Sequence, residues 1–515
     1  MKEKDITKQE IFDAGKNQRR IILITVCIAL MAVIASVSGL NVAQLKLAID
    51  FHASQTHILW MINTYTISLA ALLLPLGALG DRIGRKKMLL IGLFIFGIAS
   101  MMSGWATSSL MMIVARFLCG VGAAMIMPVT LAVITSTFPD EERSKAIGIW
   151  TAVAGGGGIL GMYLSAVLVD VATWRLLFAL PVVLALAAIV LTVRFITDSK
   201  EKIEHRFDII GSLLSIISVM GIVYTLHEAP VNGWMKALTL GSLIMGIVSA
   251  ILFVLWELRQ KAPLLDVSLF LKRGLSSGSL SLLAIFGVQA GIFVVLFPYF
   301  QSVLGWSGLR STLAMMPMAI LMMIASGLAP QVAKRIGRRF TMALGILLAG
   351  LGSAVMALLV SVEGGYLSVL PGMLAMGFGM GLSMTPSTEA ITSALPADRQ
   401  GIASALNDIT RELGTALGVA LLGSLVSAGY QNRIDEKLQG ISTYTASQFR
   451  EGISNALAIA PKTDPQSAKL IHIARESFVY GWKQAMWVGT LVMLVLFFYV
   501  LVYGPKTIKK KDILN

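Results

Sequence analysis

Asp408, Arg411 and Glu412 fall within five residues of each other inside a long apolar run. On a helix, Asp408 and Glu412 are one turn apart and share a face, with Arg411 beside both. Burial disfavours the ionised form of a carboxylate, and a neighbouring cation favours it. Competition between those effects suits a group that takes up a proton in one environment and releases it in another. Glu412, deeper from the nearest basic flank, is the first candidate for that role and Asp408 the second. The competing reading is an Asp408–Arg411 pair that only offsets charge, and it leaves Glu412 without a purpose. Arg116 stands in the middle of another apolar run. Desolvation makes such a position costly, so Arg116 should face the interior and meet an acid, a polar group or a carbonyl.

A third constellation is a turn rather than a helix. Gly77-Ala78-Leu79-Gly80-Asp81-Arg82-Ile83-Gly84-Arg85-Lys86-Lys87 separates two apolar runs, and Lys334-Arg335-Ile336-Gly337-Arg338-Arg339 repeats it faintly. Gly77 and Gly84 permit close backbone approach and a tight turn. Asp81 can cap a helix end or pair with Arg82, Arg85 or Lys86, and such a cluster can hold two parts of a molecule in one state and release them in another. The alternative is a purely topological anchor of basic residues, for which Asp81 is not needed. The second copy has Lys334 at the place of Asp81, so it is expected to anchor and not to latch.

These residues need membrane helices to position them. The chain is 56% hydrophobic and 14% charged, which excludes an ordinary soluble domain. Runs of roughly 20 apolar residues suit spanning helices, and these fall near 21–43, 57–79, 88–106, 109–137, 145–169, 175–196, 209–226, 237–258, 277–300, 311–333, 341–361, 368–391, 402–428 and 484–504. The first run is too long for a signal-peptide core and reads as an uncleaved helix. Starting from a cytoplasmic N-terminus, every second short loop is rich in Lys and Arg, which is the positive-inside pattern. The net charge of +14 is therefore accounted for by membrane loops, not by nucleic-acid binding. Cys27 and Cys119 both lie in apolar runs, which argues against a disulfide. No phosphate loop of the Gly-x-x-x-x-Gly-Lys-Ser/Thr kind is present, and the five histidines do not cluster at metal or catalytic spacing, so neither an ATP-driven pump nor an enzyme is expected.

The expected architecture is an all-α polytopic membrane protein of about fourteen helices. It divides into a tail at 1–20, a six-helix bundle at 21–196, a linker with two inserted helices at 197–276, a second six-helix bundle at 277–504 with a long external loop at 429–482, and a tail at 505–515. A duplicated half built on spanning helices points to a secondary transporter with two related halves. Pro139-Asp140-Glu141-Glu142-Arg143 and Pro396-Ala397-Asp398-Arg399 form a second echo of the duplication. Ser36, Asn41, Asn63 and Tyr65 are polar positions in the first two helices that could line a cavity or bond across helices. The 27 methionines would suit a pliable pocket, although each one singly is as well explained by packing.

With these residues in view, the chain resembles the drug:proton antiporters of the major facilitator superfamily, in the fourteen-helix branch of quaternary-ammonium and multidrug exporters. Gly77 to Lys87 matches the superfamily's loop motif, Arg116 to Ala124 its fourth-helix motif, and Ala405-Leu406-Asn407-Asp408 with Leu413 to Ala420 the thirteenth helix of the branch. The resemblance implies proton-coupled efflux of amphipathic compounds by alternating access. It implies the cytoplasmic membrane of a bacterium with both termini inside, no cofactor beyond the coupling proton, and a monomer whose partners are substrate, protons and lipid. It gives Arg116 a part in coupling, and Asp81, Arg82, Gly84, Arg85, Arg143, Gly157 and Gly161 a part in gating, with Ser36, Asn41, Asn63, Tyr65 and Glu412 toward substrate. The departures bear on substrate. Relatives carry acids at the places of Ser36, of Asn63 in some cases and near Met322, so strongly cationic substrates are less expected here. In the fifth helix Met162 replaces a proline and Ser165-Ala166 a glycine pair, which weakens the antiport motif. An exporter of one endogenous metabolite, such as a siderophore or lipid, and a non-transporting receptor or assembly partner are the alternatives.

Overall fold

A computed structural model describes residues 15–171, 173–197, 207–438, 443–463 and 467–505. The tail residues 1–14 and 506–515 and the basic loop 198–206 lie outside the described residues. The described chain is helical almost throughout. In order, the helices are α1 (Lys16–Asp50), α2 (Gln55–Ile83), α3 (Arg85–Gly104), α4 (Ser109–Thr137), α5 (Asp140–Val171), α6 (Ala179–Phe195), α7 (Ile209–Asn232), α8 (Ala237–Glu257), α9 (Arg273–Pro298), α10 (Gly308–Ile336), α11 (Arg338–Leu359), α12 (Gly365–Thr392), α13 (Gln400–Lys437), α14 (Thr443–Arg450), α15 (Ile453–Thr463) and α16 (Ser467–Tyr503). Among the described residues, fourteen helical stretches are long and apolar enough to span a bilayer, α1 to α13 and α16.

The two turn motifs break helices in the same way. Gly84 separates α2 from α3 at φ 106° and Gly337 separates α10 from α11 at φ 88°, a region that disfavours a side chain. Ser54, Ser108 and Ser307 cap α2, α4 and α10 by accepting a backbone N–H from the first turn, as side-chain oxygens do at free helix starts.

Packing sorts the spans by depth. The most enclosed window is in α4, at 78% buried, and the least is in α8, at 22%. Arg116 is on the first. α8 packs chiefly on α7, which lies against α2 and α13, and α8 turns Ile244, Ile247, Val248, Ile251 and Leu255 outward, as a lipid-facing helix does. Between the halves, α5 lies along α10 and α12, while α13 lies along α2 and α4.

The expected external loop 429–482 is much shorter than its sequence polarity indicated. α13 continues to Lys437, α16 begins at Ser467, and α14 and α15 lie between them. Tyr430 Oη donates to Phe449 O at 2.9 Å, and Tyr430, Phe449 and Trp482 are buried. The extra turns are held by the bundle's own apolar core, which runs on through Tyr430, Ile434, Phe449 and Trp482, while exposed polar residues such as Asp435 and Glu436 lower their hydropathy.

Candidate functional site

At one end of the bundle the two halves meet through Asp81, on the last turn of α2. Its carboxylate accepts from Gly401 N at 2.9 and 2.8 Å and from Ile402 N at 3.4 Å. These N–H groups open α13 and lack intrahelical partners, so an anion there also meets the positive end of the helix dipole. Arg85 Nη2 pairs with Asp81 Oδ1 at 3.2 Å and donates to Ala397 O at 3.4 Å. Both side chains are buried. A methyl group on Gly77 would lie 2.7 Å from Gly401 O, so glycine lets α2 and α13 touch here. Arg85 is thus the partner of Asp81. Arg82 instead stands 5.5 Å from the Phe207 ring, at the entrance to the inserted helices. The two sides also bound a cavity of about 50 Å³ with Asp208, Pro263, Asp398 and Arg399.

Three other gating expectations are corrected. Arg143 stays within its own helix start: it pairs with Asp140 at 2.7 Å and donates to Phe138 O at 3.3 Å, partners that its i,i+3 spacing and the short turn before α5 supply locally. The second turn copy does more than anchor. Arg338 Nε pairs with the buried Glu389 of α12 at 3.1 Å, and Ser144 of α5 lies beside that carboxylate, so this copy also reaches toward the opposite half. Gly157 faces α1, where Met31 and Ile34 stand at ordinary contact distance from an added methyl group. The tight contact belongs to Gly156, whose added methyl would press on Met323 at 2.5 Å. Gly161 is buried on α5.

Deeper in the bundle, Arg116 donates from Nη1 to Ser36 Oγ at 2.8 Å. Its guanidinium lies 4.2 Å from the Tyr65 ring centroid, a cation–π distance, and Tyr65 Oη donates to Val33 O at 3.3 Å. Among the described residues no acid pairs with Arg116. Ser36 and Tyr65 are buried and hold Arg116 through the hydroxyl of one and the ring of the other, the cross-helix bonding that the sequence leaves open beside a cavity role. Asn63 is half-buried and lines a small cavity with Trp60, Tyr224, His227 and Glu228. It therefore faces the inserted α7 and not the space between the halves, because its face of α2 is the one α7 covers. The side chain of Asn41 lies outside the described residues.

α13 supplies the other side. Asp408 is buried, accepts from Asn407 Nδ2 at 3.2 Å and pairs with Arg411 Nη1 at 3.4 Å. Arg411 also crosses to the first half, donating from Nη2 to Ala154 O on α5 at 3.4 Å. Its guanidinium is 4.5 Å from the Phe286 ring and 5.5 Å from the Trp150 ring. Glu412 is different. It has no hydrogen-bond or ion-pair partner among the described residues, is only partly buried, and lies close enough to Tyr65 to interact with it electrostatically. Glu412, on α13 of the second half, therefore lies near Tyr65, on α2 of the first half, across the contact of those two helices.

The methionines around α5 are mostly packing. Met315, Met318, Met322 and Met384 are sealed, while Met31 and Met323 are partly exposed. Two features escaped sequence reasoning. The reach of Arg411 to Ala154 has no local sequence signal. Glu389 has one, an acid inside an apolar run.

The profile of the Major Facilitator Superfamily matches residues 24–419. The multidrug efflux pump LfrA of Mycolicibacterium smegmatis is 32% identical over 451 residues, covering 87% of this chain and 89% of that one. The multidrug resistance protein Stp of Mycobacterium tuberculosis is 29% identical over 467 residues, covering 89% and 87%. Among solved structures, the human organic anion transporter MFSD10 (TETRAN) matches with a TM-score of 0.60 at 13% identity, over 94% of this chain and 99% of that one, a likeness of fold.

Proposed function

The chain belongs to the Major Facilitator Superfamily, and from that membership we propose that it is a proton-coupled exporter of amphipathic organic compounds in the cytoplasmic membrane of a bacterium. The observation that carries this reading is Glu412, a mid-span carboxylate with no hydrogen-bond or ion-pair partner among the described residues, set where α13 of one half meets α2 of the other. The names of the multidrug relatives support the substrate class. The basic loops that flank the latch support its placement on the cytoplasmic side, with the chain ends inside.

In the arrangement seen here Asp81 holds α13, so the route to the cytoplasm is shut. Glu412 takes a proton from the outer side. Losing its charge removes its attraction to Arg411, which is itself bonded to Ala154 O of the other half, and the halves rock, drawing α13 from Asp81. An amphipathic compound then enters from the cytoplasm and displaces the proton from Glu412 to the inside; with Glu412 charged again the halves close at their cytoplasmic ends, and the substrate leaves outward. Asp408 and Arg411 balance each other's charge through the cycle. Because Arg116 is matched by a serine hydroxyl, the central region holds one cation and one free acid besides that balanced pair. Neutral and monocationic amphipaths suit it better than dications.

The test is efflux of ethidium, methyl viologen and puromycin from preloaded cells, with and without a proton uncoupler. Energy-dependent efflux of ethidium or puromycin that the uncoupler stops, and that Glu412→Gln removes, is the expected result. Efflux indifferent to both treatments overturns the reading.

A further inference from the structure

Below Glu412, α13 carries a row of buried polar side chains with unmet hydrogen-bonding atoms. Gln400 Oε1, Ser404 Oγ, Asn407 Oδ1, Asp408 Oδ2 and Arg411 Nε are all enclosed and have no partner among the described residues. Gln400, Ser404, Asn407 and Arg411 recur at the spacing of one helix face, and Asp408 flanks them on the side toward Glu412. A buried polar atom left unpaired costs about 1–3 kcal/mol, so native proteins hold few of them without a reason. Five along one face of one helix is a pattern.

The individual cases are informative. Thr410, also on α13, folds its hydroxyl onto Leu406 O at 2.7 Å, the usual local solution. Ser404 does not fold back on the carbonyl of Gln400. Gln400 spends its amide N–H groups on Thr392, Leu395 and Pro396 carbonyls at 3.1 Å each, and leaves its acceptor free. Neighbouring α9 adds to the row. Gly287 meets Gly418 and Gly291 meets Leu422, a register that sets Ser281 level with Glu412. Ser281 is fully buried and its hydroxyl is also unpaired.

The row begins at the cytoplasmic end of α13, beside Arg399 and the Asp81–Arg85 pair. It ends at Asp408, Arg411 and Glu412, with Arg116 across from them on α4 and Glu389 with Arg338 on the α12 side. At 1.5 Å per residue it covers about 18 Å, roughly half of a hydrocarbon core about 30 Å thick. We infer that this face of α13 is the proton exit route, holding a file of water between Glu412 and the cytoplasm once the latch has opened, beside the path by which substrate enters. Hydroxyl, amide and carboxylate groups accept and donate to such a file. Arg399 and Arg411 at its two ends disfavour a resident cation, which raises the barrier to an excess proton in the file and guards it against leak until Glu412 releases one. The assignment rests on the coupling role of Glu412.

The experiment uses purified full-length protein in liposomes containing a trapped pH dye, with radiolabelled puromycin and, separately, ethidium. Two modes are compared. Net transport moves protons; counterflow, with substrate on both sides, needs none. Ser404→Ala and Asn407→Leu should slow net transport and its proton flux by about tenfold or more while leaving counterflow and substrate binding near wild type. Ser404→Thr should restore net transport, and the deuterium solvent isotope effect should grow in the slowed variants. Equal loss of both modes in the two variants, which marks a packing role, or retention of both, overturns the inference alone. A wild-type protein that moves either compound without protons removes the inference together with the coupling role of Glu412.

Discussion

Asp81→Asn isolates the latch. Arg85 and Asp81 both belong to the first half, so their mutual pair survives opening and does not bias the two states. What opening loses at the Asp81 carboxylate is the pair of α13 donors, Gly401 N and Ile402 N; the Arg85 bond to Ala397 O is lost too, but it is present in both proteins and does not enter their difference. Hydrogen bonds to a charged group contribute about 1.5–3 kcal/mol and neutral ones about 0.5–1.5 kcal/mol. Two donors therefore weaken by about 2 kcal/mol in all when the acceptor loses its charge. The anion at the helix start adds about 0.3–1 kcal/mol. The sum, about 2–3 kcal/mol, shifts the balance between closed and open cytoplasmic ends by about 30- to 150-fold at 1.4 kcal/mol per tenfold. The assay is double electron–electron resonance with spin labels at Lys145 and Lys334, both exposed near the cytoplasmic contact of α5 with α10, in a background lacking Cys27 and Cys119. The wild type should show mainly the short distance, and Asp81→Asn mainly the long one. An unchanged distribution in a folded Asp81→Asn protein would refute the reasoning.

Arg411→Met leaves Asp408 buried without its cation, at a cost of about 3–5 kcal/mol; thermal unfolding should show that loss, and Asp408→Asn combined with Arg411→Met should recover most of it. Ser36→Asp supplies Arg116 with an acid, and dication handling should rise, measured as methyl viologen efflux relative to puromycin. Gly418→Ala places a methyl group against the Gly287 backbone and should destabilise the fold by about 1–3 kcal/mol. Gly157→Ala, which meets only ordinary contacts, should be neutral or slightly stabilising, by up to about 1 kcal/mol; thermal unfolding in detergent separates the two.

Much of the fold is legible because the bilayer demands long apolar helices, and basic loops mark one side. The ionisable residues inside those helices were equally visible: Arg116, Asp408, Arg411 and Glu412 stand out against apolar neighbours. Their partners were not. Asp81 meets Gly401 across more than three hundred residues, and only the packing of α2 on α13 brings them together. Ser36 and Tyr65 read equally as cavity groups or as cross-helix bonds, and they serve a buried guanidinium, because its desolvation commands the nearest polar atoms. Asn63 looked inward until α7, an inserted helix with no place in the twofold repeat, covered its face. The turns of α13 and α16 beyond the membrane were hidden for the opposite reason. Their outer faces meet water, and hydropathy sees only the membrane part.

The central claim is that Glu412 exchanges protons for substrate. The direct measurement is proton movement in inverted membrane vesicles with an imposed pH gradient, followed as ethidium or puromycin is added. Substrate-dependent collapse of the gradient in the wild type, absent in Glu412→Gln at equal protein and retained in Asn63→Ala, is the predicted result. Collapse of equal size in Glu412→Gln, or none in the wild type while substrate still moves, would contradict it.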